Sequence, residues 1–546
     1  MTIQHNQNGN SAGLAEPVIY AVAAIIILSA VSAVLEKIGV TSVILIWGAI
    51  VIVSLVTVLS ANAVWPSRLS PYAVARRLAP PSMIASGQLA ALAPAAFFAA
   101  LWAKGEVSSS ATALALAGVA AGLWLSALLF GVSMNRSGAY GLPQLFEARF
   151  GSVFVRMVSL VFVALPTFLL VCGQVLAFGL LAEHRLGIPA NAAMIASIAI
   201  MTLLVWLPGV RGALIAGAIS IAGLLIGFSS MYWLLDFQFL QSAAPVFVEQ
   251  KLLADAAVNA LPFLSEAGIA VSSRTEQAAF VISMAAAISI LPVMTQFHPL
   301  ASVGSRTFNT AAATSVALAV MLSGALLIVP SGLPVSVGSL PLGSAGLVLI
   351  DLAASALLHA MVATGAVHIF AFAGVISLDG YHGIFGRPAS ENGRLIAART
   401  TVLLTAIAVG WVVLTWGQAA MTPAVPVLFA AGAGMFPATV AAIWWRRCSA
   451  PAAIAGMFSG AATVICAWLA RQGVIDPSAL VSDPSPVLEF MLQLSLAGSA
   501  LAGMVVAGVA ILAISFLPHK SAETSRTFFE ATGKDRYRRL LNETAM

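Results

Sequence analysis

Charge is what this chain has least of. Only 8 % of its 546 residues are charged, 60 % are hydrophobic, and the mean hydropathy is +1.00. A soluble domain carries about 25 % charged residues, so this composition excludes an ordinary soluble protein. Apolar runs long enough to cross a bilayer, about 20 residues each, recur along the chain, and the alternating ten-residue pattern of an outer-membrane barrel is missing. The sequence therefore predicts an all-α, polytopic membrane protein.

Groups that perform covalent chemistry are also scarce. The three cysteines, Cys172, Cys448 and Cys466, have no spacing typical of a metal or redox site. The sequence contains no paired carboxylates, zinc motif or nucleophile constellation, so it does not indicate an enzyme or a bound cofactor. No lysine or arginine precedes the first apolar run, which argues against a cleaved signal peptide and predicts that the first helix is retained.

Span length and flanking charge predict about fourteen transmembrane helices. Most of the 25 lysines and arginines fall on one side, which predicts cytoplasmic termini in a bacterial inner membrane. The bilayer and a small-molecule solute are the expected partners, and nothing indicates nucleic acid. The predicted segments are a cytoplasmic N-terminus (1–16), two peripheral helices (17–62), a first repeat (82–235), an extracytoplasmic loop (236–276), a second repeat (277–445), two further peripheral helices (451–517) and a cytoplasmic tail (518–546).

Two predicted spans, the third and the eighth, contain an internal proline close to polar residues. The residues are Gln88 and Pro94 within 82–103, and Pro292, Thr295, Gln296 and His298 at the end of 277–296 and just beyond it. Proline frees backbone groups that membrane helices tolerate only where protein or a water-lined cavity satisfies them. Paired interruptions in two halves are typical of a transporter with inverted repeats. Ordinary proline kinks are the alternative interpretation.

The tenth predicted span, 343–376, is apolar but carries titratable groups. Thr364 and His368 are one turn apart and share a face, whereas His359 lies about 180° away from His368. Imidazole titrates near neutrality, so His368 is a candidate proton relay, and a packed histidine is the alternative. Gln174, in the fifth span, needs a polar partner that either a solute or a neighbouring helix could supply. Asp379 is predicted in the inner loop after this span, as part of a gate or of a solvated charge cluster.

Four segments resemble the sodium/solute symporter family, and are nearest to its bacterial acetate and monocarboxylate permeases. The segments are GLPQLFEARFG (141–151), LLVCGQVLAFGLLAEHRLG (169–187), VISLDGY (375–381) and GAGMFPATVAAIWWRRCSAPAAIAGMFSG (432–460). The resemblance implies the five-plus-five inverted-repeat fold (LeuT-like) and a symporter that moves a small organic solute by alternating access. It places the solute between spans 3, 5, 8 and 10, where the candidate contacts are Gln88, Pro94, Gln174 and Gln296.

The resemblance also implies a sodium site between the third and tenth spans. The matching positions are Ala90 on the third span and Ala363 and Thr364 on the tenth. The segment 90–99 lacks the aspartate and hydroxyl residues that the family carries there, so Thr364 is the remaining side-chain ligand. Coupling to a proton through His368, or weakly to sodium, is therefore expected. A transport-incompetent relative that acts as a sensor or as a subunit of a membrane complex is the alternative.

Overall fold

The computed structural model describes six long stretches, 42–62, 109–219, 274–300, 344–381, 390–474 and 494–517. It also describes residues 68–74 and single positions elsewhere, among them Gln88, Phe528 and Phe529. Within these residues the regular structure is helical throughout, as predicted.

The described helices are labelled in chain order, with two π-helical turns named separately. They are α1 (Ser42–Asn62), α2 (Leu69–Val74), α3 (Ser109–Leu125), the π-turn Ser126–Gly131, α4 (Val132–Ser137), α5 (Leu142–Phe150), α6 (Val153–Leu186), α7 (Ala190–Trp206), α8 (Val210–Ile219), α9 (Arg274–Ser289), α10 (Pro292–Thr295), α11 (Ser344–Gly374), the π-turn Val375–Tyr381, α12 (Glu391–Trp416), α13 (Ala424–Trp444), α14 (Ala450–Arg471) and α15 (Leu496–Ser515). Seven helices of the described part are long and apolar enough to cross a membrane, or eight if the bent pair is one span. The total of fourteen stays a prediction, because other predicted spans lie wholly or partly outside the described residues.

Local sequence fixes where the long helices begin and end. Four of them start after a serine whose hydroxyl accepts a hydrogen bond from a backbone N–H of the first turn; these caps are Ser152, Ser390, Ser449 and Ser495. Helix α6 ends at Gly187, whose φ of +64° is a left-handed conformation that favours glycine. The glycine that closes the segment 169–187 is therefore explained by the end of a helix.

The predicted break in the eighth span is confirmed. Helix α9 ends at Ser289, α10 begins at Pro292, and the two are bent by 60° at the break. Leu291 between them is extended (ψ 144°), because the residue before a proline is disfavoured in the α conformation. The chain thus changes direction inside an apolar segment, at the position that the proline specifies.

Helices α6 and α11 run side by side in opposite directions and hold the polar residues of the fifth and tenth spans. Phe168 packs on Phe372 with ring centroids 5.4 Å apart, and the Arg156 guanidinium lies 3.2 Å from the Asp379 carboxylate. Continuing this antiparallel register along α6 brings Gln174 to the level of Ala366 on α11. Gln174 therefore lies at the same depth as the stretch that contains Thr364 and His368.

Candidate functional site

The broken span makes contact with α11 through Gln296. This residue follows α10, and its Nε2 donates a hydrogen bond to the carbonyl oxygen of Ala371 at 3.0 Å. Gly374, one turn further, leaves room for the same amide, since a Cβ built there would lie 3.0 Å from Gln296 Oε1. The bend at Pro292 thus directs a polar side chain onto the tenth span.

Gln88 connects the third span to the same break. Its side chain is buried, and Nε2 donates to the carbonyl oxygen of Met294 at 3.3 Å. The neighbouring Gly87 packs against Leu214 and Phe297, so the third, seventh and eighth spans meet here. The predicted break at Pro94 and the predicted ion position Ala90 lie outside the described residues.

A cleft borders Gln296 on the side of the predicted cytoplasm. The cleft is small and partly open to solvent, and its lining includes Tyr72, Tyr140, Gln296, Phe370, Ser377 and Ala398. Most of this wall is apolar, with hydroxyl groups and one amide as the hydrogen-bonding groups. Gln296 contacts α11 at Ala371, about 10 Å along the helix from Thr364, so the cleft lies at the inner part of α11, away from the level of the predicted ion position.

Gln174 has an unused hydrogen-bond acceptor. The residue is 4 % exposed, and its Oε1 is buried without a hydrogen-bond partner among the described residues. A buried amide oxygen with no donor is uncommon and calls for an explanation such as a bound water or ligand. The predicted solute contact on the fifth span is therefore an open acceptor at the depth of Thr364 and His368.

The predicted ion-coupling residues are all buried on α11. Ala363, Thr364 and His368 are each at most 2 % exposed, and His368 Nδ1 lies 2.9 Å from the carbonyl oxygen of Thr364. A carbonyl accepts but cannot donate, so Nδ1 carries the proton and Nε2 is the nitrogen that can gain or lose one. His359 is also buried, on another face of the helix, and neither of its ring nitrogens has a partner in the described structure. The structure does not bring the two histidines together.

The structure corrects the interpretation of Asp379 as part of an inner loop. This residue is 1 % exposed, lies in the π-turn that ends α11, and pairs with Arg156 of α6. Arg156 also pairs with Glu147 of α5 and donates to the carbonyl oxygen of Leu378 at 2.8 Å. The count of lysines and arginines includes Arg156 only as one of the positive charges on the predicted inner side; the signal available for a further role is its position just inside a long apolar run.

Arg149 is a second buried arginine whose role the sequence did not disclose. Its Nε donates to Ala442 O at 2.9 Å, and its Nη2 donates to the carbonyl oxygens of Arg446 and Cys448 at 3.1 and 3.2 Å. These carbonyls lie at the C-terminal end of α13 and just beyond it, so the guanidinium caps that end. Burial lowers the pKa of Arg149 to about 10, and it stays charged at neutral pH.

Comparisons with known proteins identify the fold. No protein-family model and no curated protein sequence matches the chain. A Na⁺-coupled sialic acid symporter, solved in a substrate-bound outward-open state, is similar in structure at 14 % identity, with a TM-score of 0.65 over 88 % of this chain and 98 % of that one.

Weaker likenesses, at 13 % identity, are to Mhp1, a nucleobase-cation-symport-1 family transporter, and to a manganese transporter of Eremococcus coleocola. Their TM-scores are 0.43 and 0.38; they cover 86 % and 84 % of this chain, and 98 % and 95 % of their own. The fold assignment rests on the first likeness together with the described helices. The chain is an integral membrane protein with the all-α, LeuT-like fold found in sodium-coupled symporters.

Proposed function

We propose that this chain is a secondary active transporter that carries a small organic solute, such as a monocarboxylate, by alternating access. In this proposal it is a divergent member of the sodium/solute symporter family, nearest to the acetate permease branch, in a bacterial cytoplasmic membrane. The fold and the four family-like segments support it. The segments 141–151 and 375–381 contribute Glu147 and Asp379 to one ion network, so two of them meet in space.

The observation that carries the proposal is the broken eighth span and its contacts. Backbone bent inside a membrane segment is tolerated where protein or a water-filled cavity satisfies it. Here Gln88 of the third span donates to Met294 beside the break, and Gln296 after the break donates to Ala371 of the tenth. Discontinuous helices at the meeting point of two repeats are where such transporters bind their solutes.

The proposal assigns solute contact to four residues on three spans. Gln174 offers an acceptor, the Oε1 that has no partner among the described residues, to a donor group of the solute, such as the hydroxyl of a hydroxy acid. Gln88 and Gln296 line the route beside the break, and Pro94 supplies the matching interruption in the third span. The apolar cleft next to Gln296 is the inner part of that route.

The coupling ion is proposed to act at the middle of α11. For sodium, the ligands would be the Thr364 hydroxyl with backbone carbonyls near Ala363 and Ala90. For a proton, His368 Nε2 would be the carrier, because its Nδ1 is engaged with Thr364. Both ions use one face of α11, so one set of variants tests both.

The inner end of the route is proposed to close through the network of Glu147, Arg156 and Asp379. These three residues join α5, α6 and the end of α11, three elements that alternating access would have to separate or tilt. Charge pairs at the end of a gate can break and re-form without covalent change. The network is therefore the proposed inner gate.

The test is uptake of labelled monocarboxylates and other small solutes into proteoliposomes that contain the full-length chain. Uptake is measured with a sodium gradient, with a pH gradient and with neither, which shows whether sodium or a proton drives transport. We expect Thr364→Val to reduce sodium-driven uptake, or His368→Gln to reduce proton-driven uptake, by tenfold or more. Thr401→Val is the matched control, because its hydroxyl bonds only to Ala397 O of its own helix in the described structure.

Absence of flux under every gradient, with a well-folded protein, would contradict the proposal. It would favour the alternative of a transport-incompetent sensor or complex subunit. The loss of the carboxylate and hydroxyl groups in segment 90–99 is the observation on the side of that alternative.

A further inference from the structure

The C-terminal tail contributes two buried aromatic residues to the predicted cytoplasmic end of the bundle. Phe528 and Phe529 are 5 % and 3 % exposed, and their rings pack edge to face with centroids 5.6 Å apart. They belong to the same apolar cluster as Phe146 of α5 and Ile443 of α13. A segment of an otherwise polar tail is thus held against two helices.

Phe529 is held by two guanidinium groups. The Cζ of Arg149 lies 4.8 Å from the ring centroid, and the Cζ of Arg446 lies 5.3 Å from it. A cation over the face of an aromatic ring is attracted by the negative charge of that face, most strongly where water is excluded. Arg149 uses its N–H groups to cap α13 and its flat face to hold the tail, so both contacts depend on one side chain.

The helix that holds the tail also holds the proposed gate. Helix α5 is nine residues long; it carries Arg149 at its end and Glu147 two residues earlier. Glu147 pairs with Arg156, which pairs with Asp379 at the end of α11. A displacement of α5 would therefore be felt at the tail contact and at the gate together.

We infer that the slot between Arg149 and Arg446 is a docking site for the chain's own Phe528–Phe529 segment, and that the docked tail stabilises the closed inner gate. The docked rings fix the end of α5, and α5 keeps Glu147 in place beside Arg156. Release of the tail frees α5 to tilt and weakens the link to Asp379. The gating part of this inference rests on the proposed function, whereas the mechanical coupling can be measured without any solute.

The experiment is hydrogen–deuterium exchange on the full-length chain in lipid nanodiscs, comparing the native protein with Phe529→Ala. Loss of both cation–ring contacts is expected to speed amide exchange about tenfold in α5 (Leu142–Phe150) and in the π-turn Val375–Tyr381. Phe154→Ala is the matched control: Phe154 lies at the start of α6, close in sequence to α5, but its ring is 60 % exposed. It should leave both segments unchanged.

Faster exchange in both segments supports the inference. Faster exchange confined to the tail and to residues 442–448 overturns it, because the tail would then be a local anchor for the end of α13. If Phe529→Ala does not fold, Phe529→Leu keeps an apolar side chain, removes the ring and is read in the same way. Arg446→Gln, which leaves the Arg149 cap in place, should give a smaller increase in the same two segments.

Transport measurements separate this inference from the proposed function. If the chain transports solute but Phe529→Ala does not change amide exchange in α5, the proposed function stands and the inferred role of the tail is wrong. If the chain transports no solute but Phe529→Ala speeds amide exchange in α5 and in the π-turn, the coupling between the tail and the ion network stands and the proposed transport function is wrong.

Discussion

At the scale of single residues, the most informative feature of the site is the Oε1 of Gln174, which has no hydrogen-bond partner among the described residues. Its neighbours along α6 are apolar, and its level on α11 is that of Thr364 and His368, so water has little access to it. Leaving a buried acceptor unsatisfied costs about 1–3 kcal/mol. A folded protein tolerates that cost where a ligand or an ordered water meets the group during function.

Replacing Gln174 with leucine separates binding from folding. Leucine removes the unsatisfied oxygen, so the free energy of unfolding should stay the same or rise by about 1 kcal/mol. Solute uptake should fall at least tenfold, because the solute loses its acceptor. Unfolding by denaturant and uptake into proteoliposomes measure the two effects, with the exposed Gln472→Leu as control. Raised stability with unchanged uptake would mean that Gln174 only packs.

The capping role of Arg149 can be tested through the reactivity of the Cys448 thiol. Burial raises the pKa of the Cys448 thiol to about 12, so almost none of it is a thiolate at pH 8 and maleimide should label it very slowly. Arg149→Gln removes the charged cap, lowers the free energy of unfolding by about 3 kcal/mol and exposes Cys448. With the exposed Cys466 replaced by serine in every variant, labelling should then accelerate, whereas the exposed Arg394→Gln should not change it. Fast labelling of the Cys466→Ser chain without Arg149→Gln would contradict the buried position of Cys448.

At the scale of helices, the network of Arg156 couples three elements and can be measured by a double-mutant cycle. The Arg156 and Asp379 side chains are 7 % and 1 % exposed, and removing Arg156 leaves the buried Asp379 carboxylate without its cation, which should cost about 3–5 kcal/mol. Removing Asp379 should cost less, because Arg156 keeps its pair with Glu147. Glu147 is 30 % exposed, and Glu147→Gln should cost less than about 1 kcal/mol. The double variant Arg156→Gln with Asp379→Asn should be less destabilised than the sum of its parts by at least about 1 kcal/mol. Additive costs would show that the two groups do not interact.

The close packing of α13, α14 and α15 rests on glycine. A Cβ built at Gly460 would lie 2.6 Å from the carbonyl oxygen of Ala433, and one at Gly503 would lie 2.6 Å from Gly460 O. Small residues let membrane helices approach in this way. Gly460→Ala should therefore lower the free energy of unfolding by about 1–3 kcal/mol through overpacking. Gly508→Ala, in α15 and with no atom within 4 Å of its built Cβ, should raise it by about 0.5–1 kcal/mol. The same sign at both sites would contradict the packing.

At the scale of the whole molecule, the distribution of charge predicts the orientation of the chain in the membrane. The excess of lysine and arginine on one side predicts cytoplasmic termini, and the docking of Phe529 on Arg149 and Arg446 would then take place in the cytoplasm. A C-terminal tag should resist protease added to intact spheroplasts and be cleaved in inverted vesicles. Cleavage in intact spheroplasts would reverse the orientation and place the proposed gate on the outer side.

The sequence by itself determined the membrane class, the helical fold and the break at Pro292. These follow from hydropathy and from the backbone restriction that proline imposes, both of which act locally. It also singled out Gln88, Gln174 and Gln296, because an amide in an apolar run is conspicuous without any knowledge of its neighbours.

Only the tertiary structure decided what those groups meet. It joined Gln88 to Met294 and Gln296 to Ala371, gave Gln174 Oε1 no partner in the part of the chain that the structure describes, and placed Asp379 in a buried pair with Arg156 instead of in a loop. The partners lie up to 223 residues apart in the chain, and no local pattern specifies which of many inner arginines an aspartate will face. The hydrophobic pattern determines where helices form and how deep in the membrane they lie. Which side chains meet depends on the rotation and register of each helix, and these are fixed only when the helices pack.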